Sequence, residues 1–125
     1  NAQGGRGLTI TNNSNATNST VIYLRNTLLD GNVNISLRNM RVVAGSNTVT
    51  STFGITGQGT TVSTFGTGDR MDSIRIENVA VERAYYAIFL RGTVANPIRN
   101  LRISNNTIGS TDTSRFVIFR GIDVQ

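Results

Sequence analysis

The chain has 125 residues, a length that fits a single domain, and its formal net charge at pH 7 is +5. All twelve basic residues are arginine, and cysteine, histidine and tryptophan are absent. This composition excludes a disulfide framework, thiol chemistry and a histidine base, and we expect no metal site and no other cofactor. No stretch of the sequence has the pattern of a signal peptide or of a membrane span.

The first predicted element is the segment at residues 8–12, in which apolar residues alternate with others and an asparagine ends the pattern. Such alternation predicts a strand with one buried face. Three more copies of this first motif follow, at residues 35–39, 74–78 and 101–105. The copies start 27, 39 and 27 residues apart, and a period of that size indicates stacked structural repeats.

The second predicted element is the strand at residues 22–26, where two apolar positions are followed by arginine and then asparagine. Similar segments with a final glycine lie at residues 88–92 and 117–121. The segments that start at residues 22 and 88 each begin 14 residues after a copy of the first motif and 13 residues before the next copy. A third, shorter strand is predicted after the asparagine of the last three copies, at Val42, Val81 and Ile108. Three strands in each 27-residue rung predict a three-sided coil of stacked parallel strands.

Residues 44–70 hold the extra length of the 39-residue interval and are rich in glycine, threonine and serine. Within this predicted inserted loop, Phe53–Gly57 matches the second motif and is expected to be its missing strand. Residues 62–65 are the alternative, because they keep the 13-residue step to Ile74. Insertions in coils of this kind form loops on one face, which is often the binding face.

With these motifs the chain resembles right-handed parallel β-helices of the pectate-lyase-like kind. The resemblance implies an all-β solenoid of roughly four and a half rungs, stiffened by an internal asparagine ladder. The ladder is expected to be buried and structural, and its members would be Asn12, Asn39, Asn78 and Asn105. Residues 98–109 look like the repeats of very large secreted or surface-attached bacterial proteins. We therefore expect residues 1–125 to be one segment of a longer extracellular or cell-surface solenoid, rather than a small complete one.

The second motif predicts an exposed face with two outward columns of side chains. One column contains Tyr23, Gly54, Phe89 and Ile118, and the other contains Arg25, Thr56, Arg91 and Arg120. Aromatic rings beside guanidinium groups can bind sugar rings and their carboxylates, or a neighbouring protein chain. The hypothetical binding residues are therefore Tyr23, Arg25, Phe89, Arg91 and Arg120. The alternative is that the aromatic rings pack under the long loop while the arginine heads stay solvated.

The family that the chain resembles includes lyases and hydrolases of acidic polysaccharides, which place acidic residues on this face. The two predicted columns contain no acidic residue, so we expect no catalytic residues in this segment. On the strands of the first motif, Arg38 and Glu77 are predicted to form an ion pair, and Arg75 and Arg102 are like-charged neighbours.

The favoured function is that of a structural stalk or adhesin segment. The alternatives are a carbohydrate-active β-helix whose catalytic rungs lie elsewhere, and a module that binds acidic polysaccharide. The expected partners are acidic polysaccharide, neighbouring chains and further rungs of the same polypeptide. No lysine-arginine cluster or recognised binding fold indicates a nucleic acid.

Overall fold

The computed structural model describes residues 5–25, 31–65 and 67–125. In these ranges the backbone forms twelve strands and one short 3-10 helix, Thr113–Arg115. The strands are β1 (Leu8–Thr11), β2 (Thr20–Leu24), β3 (Asn32–Val33), β4 (Ser36–Val43), β5 (Phe53–Gly57), β6 (Met71–Asp72), β7 (Arg75–Glu82), β8 (Tyr86–Leu90), β9 (Ile98–Arg99), β10 (Arg102–Ser104), β11 (Thr107–Ile108) and β12 (Arg120–Val124). Part of the region between β2 and β3, and Gly66 in the predicted inserted loop, lie outside the described residues.

The strands form three parallel sheets, and the chain visits the sheets in a fixed order. Sheet A has the strand order β1-β4-β7-β10, and β11 also pairs with β7. Sheet B has the order β2-β5-β8-β12, and sheet C has the order β3-β6-β9. β1, β4 and β7 of sheet A are each followed along the chain by a strand of sheet B and then by one of sheet C, whereas β10 is followed by β11 of sheet A and then by β12 of sheet B. The prediction of an all-β chain is confirmed, since the described residues are nearly all parallel strand, loop and turn.

The strands of sheet A bend at an asparagine whose backbone is left-handed. In β7, Ile76 and Val79 are both fully buried, although only two residues separate them. Asn78 lies between them with a φ of 53°. Asparagine tolerates this conformation better than most residues, so the alternation of inward and outward side chains can skip one position there. Each long strand therefore presents two apolar segments to the interior.

The interior between the three sheets is a column of aliphatic side chains. Residues that lie opposite one another on neighbouring strands form this column, as Ile22, Ile55 and Ile88 do in sheet B. Ile55 and Ile88 are fully buried, and burial of such a side chain contributes roughly 1.5–3 kcal/mol relative to leaving it exposed. The packing of neighbouring strand layers against one another thus holds the three sheets together.

The first strand pairs differently from the sequence-based prediction. The shared motif aligned Leu8 with Ile35, but in sheet A Leu8 lies opposite Met40. Both halves of β4 alternate apolar and other residues, so either half offers β1 a matching face. Because β1 pairs with the second half of β4, Asn12 lies beyond the end of β4 and not beside Asn39. Its backbone N–H there donates to the Val43 carbonyl at 3.1 Å. The prediction that Asn12 stacks on Asn39 is therefore wrong.

The alignment of sheet B also differs from the prediction. β5 confirms that Phe53–Gly57 forms the missing strand, but Ile22 lies opposite Ile55 rather than Phe53. At the other end of the sheet, Ile88 lies opposite Ile122 rather than Val117. In β5 the shift is two residues, which keeps the same side chains on the same face, so the alternation alone does not fix that alignment. In β12 the shift is five residues, because the strand begins at Arg120 and not at the predicted Val117.

The remaining asparagine corner is bonded but not buried. Asn78 Nδ2 donates to Asn39 Oδ1 at 2.8 Å, which joins neighbouring strands across the corner. Asn39 and Asn105 are exposed, and Asn78 is half-buried. The prediction of a buried column is therefore wrong. The physical reason is the bend itself, which places two consecutive residues on the outer side of the strand.

Arg6 connects the beginning of the described chain to two later corners. Its Nε donates to the Asn78 carbonyl at 3.2 Å, and its Nη2 donates to the Asn105 carbonyl at 3.3 Å. No motif of the sequence includes this residue. The arginine thus bridges two corners of sheet A that belong to neighbouring strands.

Candidate functional site

The predicted binding face on sheet B contains different residues from those expected. Strand pairing places Tyr23, Thr56, Phe89 and Asp123 in one outward column. The adjacent column contains Thr20, Phe53, Tyr86 and Arg120. Gly54 and Ile118 belong to neither column. The correction follows from the shifted alignment of β5 and β12, which also brings the carboxylate of Asp123 onto a face that was expected to lack acids.

Aromatic rings fill this face and pack against one another. Phe53 and Phe89 are almost completely buried, and Tyr86 is 8% exposed. The Phe53 and Tyr86 rings stack with centroids 5.1 Å apart, and Phe89 lies 5.4 Å from Phe53. Val62 packs against this aromatic layer from the loop that follows β5. The prediction that Phe89 belongs to an exposed face is therefore wrong, because the described parts of the loop after β5, residues 58–65 and 67–69, cover the sheet.

Polar contacts hold the covering loop in place. The Tyr23 hydroxyl donates to the Gly59 carbonyl, and Arg91 Nη1 donates to the Thr64 carbonyl at 3.0 Å. Burial raises the pKa of Tyr23, and Asp69 adds to the rise while Arg25 opposes it. Tyr23 therefore stays protonated at neutral pH and keeps its hydrogen-bond donor. Of the two interpretations of this face, packing of the aromatic rings beneath the long loop is the one observed.

The three arginines of the hypothetical binding face do not form a column. Arg25 is exposed beyond the end of β2, whereas Arg91 is half-buried against the loop. Arg120 lies opposite Tyr86, and its Nη1 is 2.6 Å from Asp123 Oδ2. Its guanidinium also lies 5.2 Å from the centre of the Phe119 ring. The structure thus gives each of these arginines a different environment.

A second charged surface lies on the outer side of sheet A. Arg38 Nη2 is 2.5 Å from Glu77 Oε2, so the predicted ion pair is confirmed. Arg102 Nε approaches the other oxygen of Glu77 at 2.7 Å. Arg75 is exposed between these residues, and its guanidinium has no hydrogen bond or ion pair within the described parts of the chain. This arginine face, formed by Arg38, Arg75, Arg102 and Glu77, carries three positive charges and one negative charge.

A third group of charges connects the loop before β12, residues 109–119, to sheet A. Arg41 contacts both carboxylate oxygens of Glu82, at 2.9 and 2.7 Å. Arg115 Nη1 reaches the same carboxylate at 3.2 Å from the loop before β12. Glu82 is 8% exposed, and paired donors on both sides offset the cost of removing its charge from water.

The described residues contain no group of three or more histidine, cysteine, aspartate or glutamate side chains arranged to hold a metal ion. Over the same residues, no helix has the length and apolar character needed to cross a membrane. The two surfaces on which a binding role can be considered are the covered aromatic layer of sheet B and the exposed arginine face of sheet A. Comparison with known proteins adds no relative, since no family model, no curated protein and no solved structure matches the chain.

Proposed function

We propose that the chain is a segment of a right-handed parallel β-helix with a structural role, as a stalk or adhesin segment of a large secreted or cell-surface bacterial protein. One observation carries the proposal. The chain passes through sheets A, B and C in turn and returns to pair in parallel with its own earlier strand. Crossovers between parallel strands are nearly always right-handed, which favours that hand for the coil.

The ends of the strand stack support a role as part of a longer assembly. Leu8 and Val33, on strands at one end, are 56% and 48% exposed. Ile122 and Val124, on β12 at the other end, are 49% and 45% exposed. Further rungs on these ends would cover the apolar side chains and pair the edge strands, in the way that repeats stack in solenoids.

The environments of the carboxylates favour a structural role over catalysis. Glu77, Glu82 and Asp123 each lie within ion-pair distance of at least one arginine. Hydrogen bonds lower the pKa of two further acids: Asn100 and Ser73 bond Asp72, and Ser114 bonds Asp112. A general acid needs a raised pKa, so these two groups are unsuited to protonate a leaving group.

A second candidate function is binding of acidic polysaccharide, and the arginine face favours it. Among the described residues Arg75 has no ion pair and lies opposite Arg102, and Glu77 offsets only one of the three positive charges. Guanidinium groups bind carboxylates through paired hydrogen bonds, and arginines on three neighbouring strands suit a polymer that carries repeated carboxylates.

One experiment tests both candidates. The purified chain is incubated with polygalacturonate and with alginate, with and without calcium, and then passed over immobilised polygalacturonate. A structural segment releases no reducing ends and no unsaturated products, whereas calcium-dependent release of either would reject the structural proposal. Retention that Arg75→Gln lowers more than Arg99→Gln, an exposed arginine in sheet C, supports binding at the arginine face. Equal losses from the two variants would reject that second candidate.

A further inference from the structure

The connections from sheet A to sheet B differ in length, and the difference creates a cleft. Residues 44–52 follow β4 and residues 109–119 follow β11, but only residues 83–85 join β7 to β8. Because the middle connection is so short, its longer neighbours stand above it on either side. The space between them has a volume of about 400 Å³. The residues that line this corner cleft are Val43, Ser46, Asn47, Thr48, Arg83, Ser114 and Arg115.

The walls of the corner cleft are connected by hydrogen bonds. Asn47 Nδ2 donates to the Thr113 carbonyl at 3.4 Å, which joins one long loop to the other. The Arg83 N–H donates to the Arg115 carbonyl at 3.0 Å, which joins the short connection to the second loop. Within the first loop, the Ser46 hydroxyl accepts from the N–H groups of Thr48 and Val49. The cleft is therefore built before any ligand arrives.

Arg83 sits at the floor of the cleft in an unusual conformation. Its φ is 55°, and every other described non-glycine residue with a positive φ is asparagine or serine. Small polar residues adopt this left-handed backbone more easily than a long side chain does. Backbone strain of this kind is concentrated at functional positions, so an arginine at this corner indicates a use for its guanidinium.

The charge of Arg83 is not offset nearby. Its guanidinium has no hydrogen bond or ion pair with the described residues, and the residue is exposed. The two acids at this corner are already engaged, Glu82 by Arg41 and Arg115, and Asp112 by Arg115 and Ser114. Arg41 and Arg115 thus neutralise the two carboxylates, and the charge of Arg83 gives the cleft a net positive charge.

We propose that the corner cleft binds one acidic sugar unit, with Arg83 contacting the anionic group. Guanidinium groups form paired hydrogen bonds with carboxylates and sulfates. The hydroxyls of Ser46 and Ser114 and the Asn47 Nδ2 already have partners within the protein. The Asn47 Oδ1 and the Ser114 Oγ can still accept hydrogen bonds from sugar hydroxyls, and the volume lies within the usual range of ligand sites. This site is distinct from the arginine face and does not depend on the structural role proposed above.

The test is an NMR titration of the isotope-labelled chain, which follows the backbone amides of Asn47, Arg83 and Ser114. Three probes separate the chemistries: glucuronic acid carries a carboxylate, glucose 6-sulfate carries a sulfate, and glucose is neutral. We expect saturable shifts at these amides with one or both acidic probes and none with glucose. The tighter of the two acidic probes identifies the preferred group.

The variants make the test specific to Arg83. Arg83→Gln should weaken binding at least about tenfold, because it removes the charge and the paired donors. Arg83→Lys, which keeps the charge, should lie between Arg83→Gln and the parent. Arg99→Gln changes the net charge equally at a distant sheet, and should leave the affinity within about twofold. Each variant is first checked for an unchanged amide spectrum outside the cleft.

Three results would overturn the proposal. The first is no saturable shift with either acidic probe. The second is equal binding of glucose, which would leave no role for the positive charge. The third is an affinity that Arg83→Gln lowers no more than Arg99→Gln does.

Discussion

Asparagine side chains at the corners of sheet A form hydrogen bonds with backbone groups as well as with one another. Asn106 shows this most clearly, although the repeat pattern pointed to its neighbour Asn105. The Asn106 Oδ1 accepts from the Val79 N–H at 2.8 Å, and its Nδ2 donates to the Ile76 carbonyl at 2.8 Å. These two backbone groups flank the left-handed corner, where the strand cannot satisfy them itself.

At the residue scale we predict that Asn106→Ala destabilises the chain by roughly 1–3 kcal/mol, because it leaves a donor and an acceptor at the corner without partners. Chemical denaturation of parent and variant measures the difference. Asn13→Ala is the control, since Asn13 is exposed outside the strands and its replacement should change stability by less than about 0.5 kcal/mol. Equal effects of the two substitutions would show that the corner bonds contribute nothing.

The sequence predicted part of this residue-level detail. Asparagine tolerates a left-handed backbone, and three of the four asparagines that end the apolar patterns, Asn39, Asn78 and Asn105, have positive φ angles, whereas Asn12 does not. The burial of the column was not predictable from the motif, because the motif does not say which side of a bend its last residue occupies. The doublet Asn105-Asn106 was the available signal for the residue that bonds the backbone.

Among the elements, the loop after β5 covers part of the outer surface of sheet B and shields its aromatic layer from solvent. Gly59 N–H donates to the Thr67 carbonyl at 2.7 Å, so the ends of the loop are close together. Val62 points down onto the aromatic layer, whereas Phe65 is 94% exposed. The loop thus buries its smaller apolar side chain and leaves the larger one in water.

We predict that Val62→Asp destabilises the chain by about 1–3 kcal/mol and speeds hydrogen exchange at the Gly59 amide, because it places a charge against the aromatic layer. Phe65→Asp introduces the same charge in the same loop but should change stability by less than about 0.5 kcal/mol. Hydrogen exchange and thermal unfolding measure both variants. A Val62→Asp variant as stable as Phe65→Asp would mean that the loop does not cover the sheet in solution.

The sequence did not predict that Val62 packs against the sheet while Phe65 is exposed. Strand positions were predictable where the alternation repeats, and β5 was correctly identified by that pattern. The last copy of the second motif was misplaced, because β12 begins at Arg120 and not at Val117, and no motif indicated the two-residue strands of sheet C. Alignment between strands was not, since Leu8 matches either half of β4 and a two-residue shift preserves the pattern in sheet B. The path of an irregular loop depends on long-range packing, which no local pattern encodes.

For the molecule as a whole, the stacked order of sheet A makes a prediction about distance. Ser36 pairs with Arg75, and Arg75 pairs with Arg102, so the three exposed positions lie on successive strands. Neighbouring strands are about 4.8 Å apart, which places Ser36 roughly 10 Å from Arg102. The chain lacks native cysteine, so pairs of introduced cysteines can carry spin labels without interference.

We expect the pair Ser36→Cys with Arg75→Cys to show stronger dipolar broadening than Ser36→Cys with Arg102→Cys, because the interaction falls steeply with distance and Arg102 is one strand further from Ser36. Electron paramagnetic resonance of the two doubly labelled proteins gives the ratio, and the singly labelled proteins provide the unbroadened reference. Equal broadening, or the reverse order, would contradict a coil of stacked parallel strands.

The contact of Arg6 with the later corners has a consequence for the order in which the chain acquires its structure. The residues that it joins are 72 and 99 positions apart in the sequence. Contacts of such long range form late, because the entropy of closing a long loop opposes them until the intervening chain is ordered. During synthesis, Arg6 leaves the ribosome long before either partner exists. β1 can pair with β4 as soon as that strand is made, whereas Arg6 can make both of its contacts only after the fourth strand of the sheet has been synthesised. The bridge made by Arg6 is therefore among the last contacts of sheet A to form.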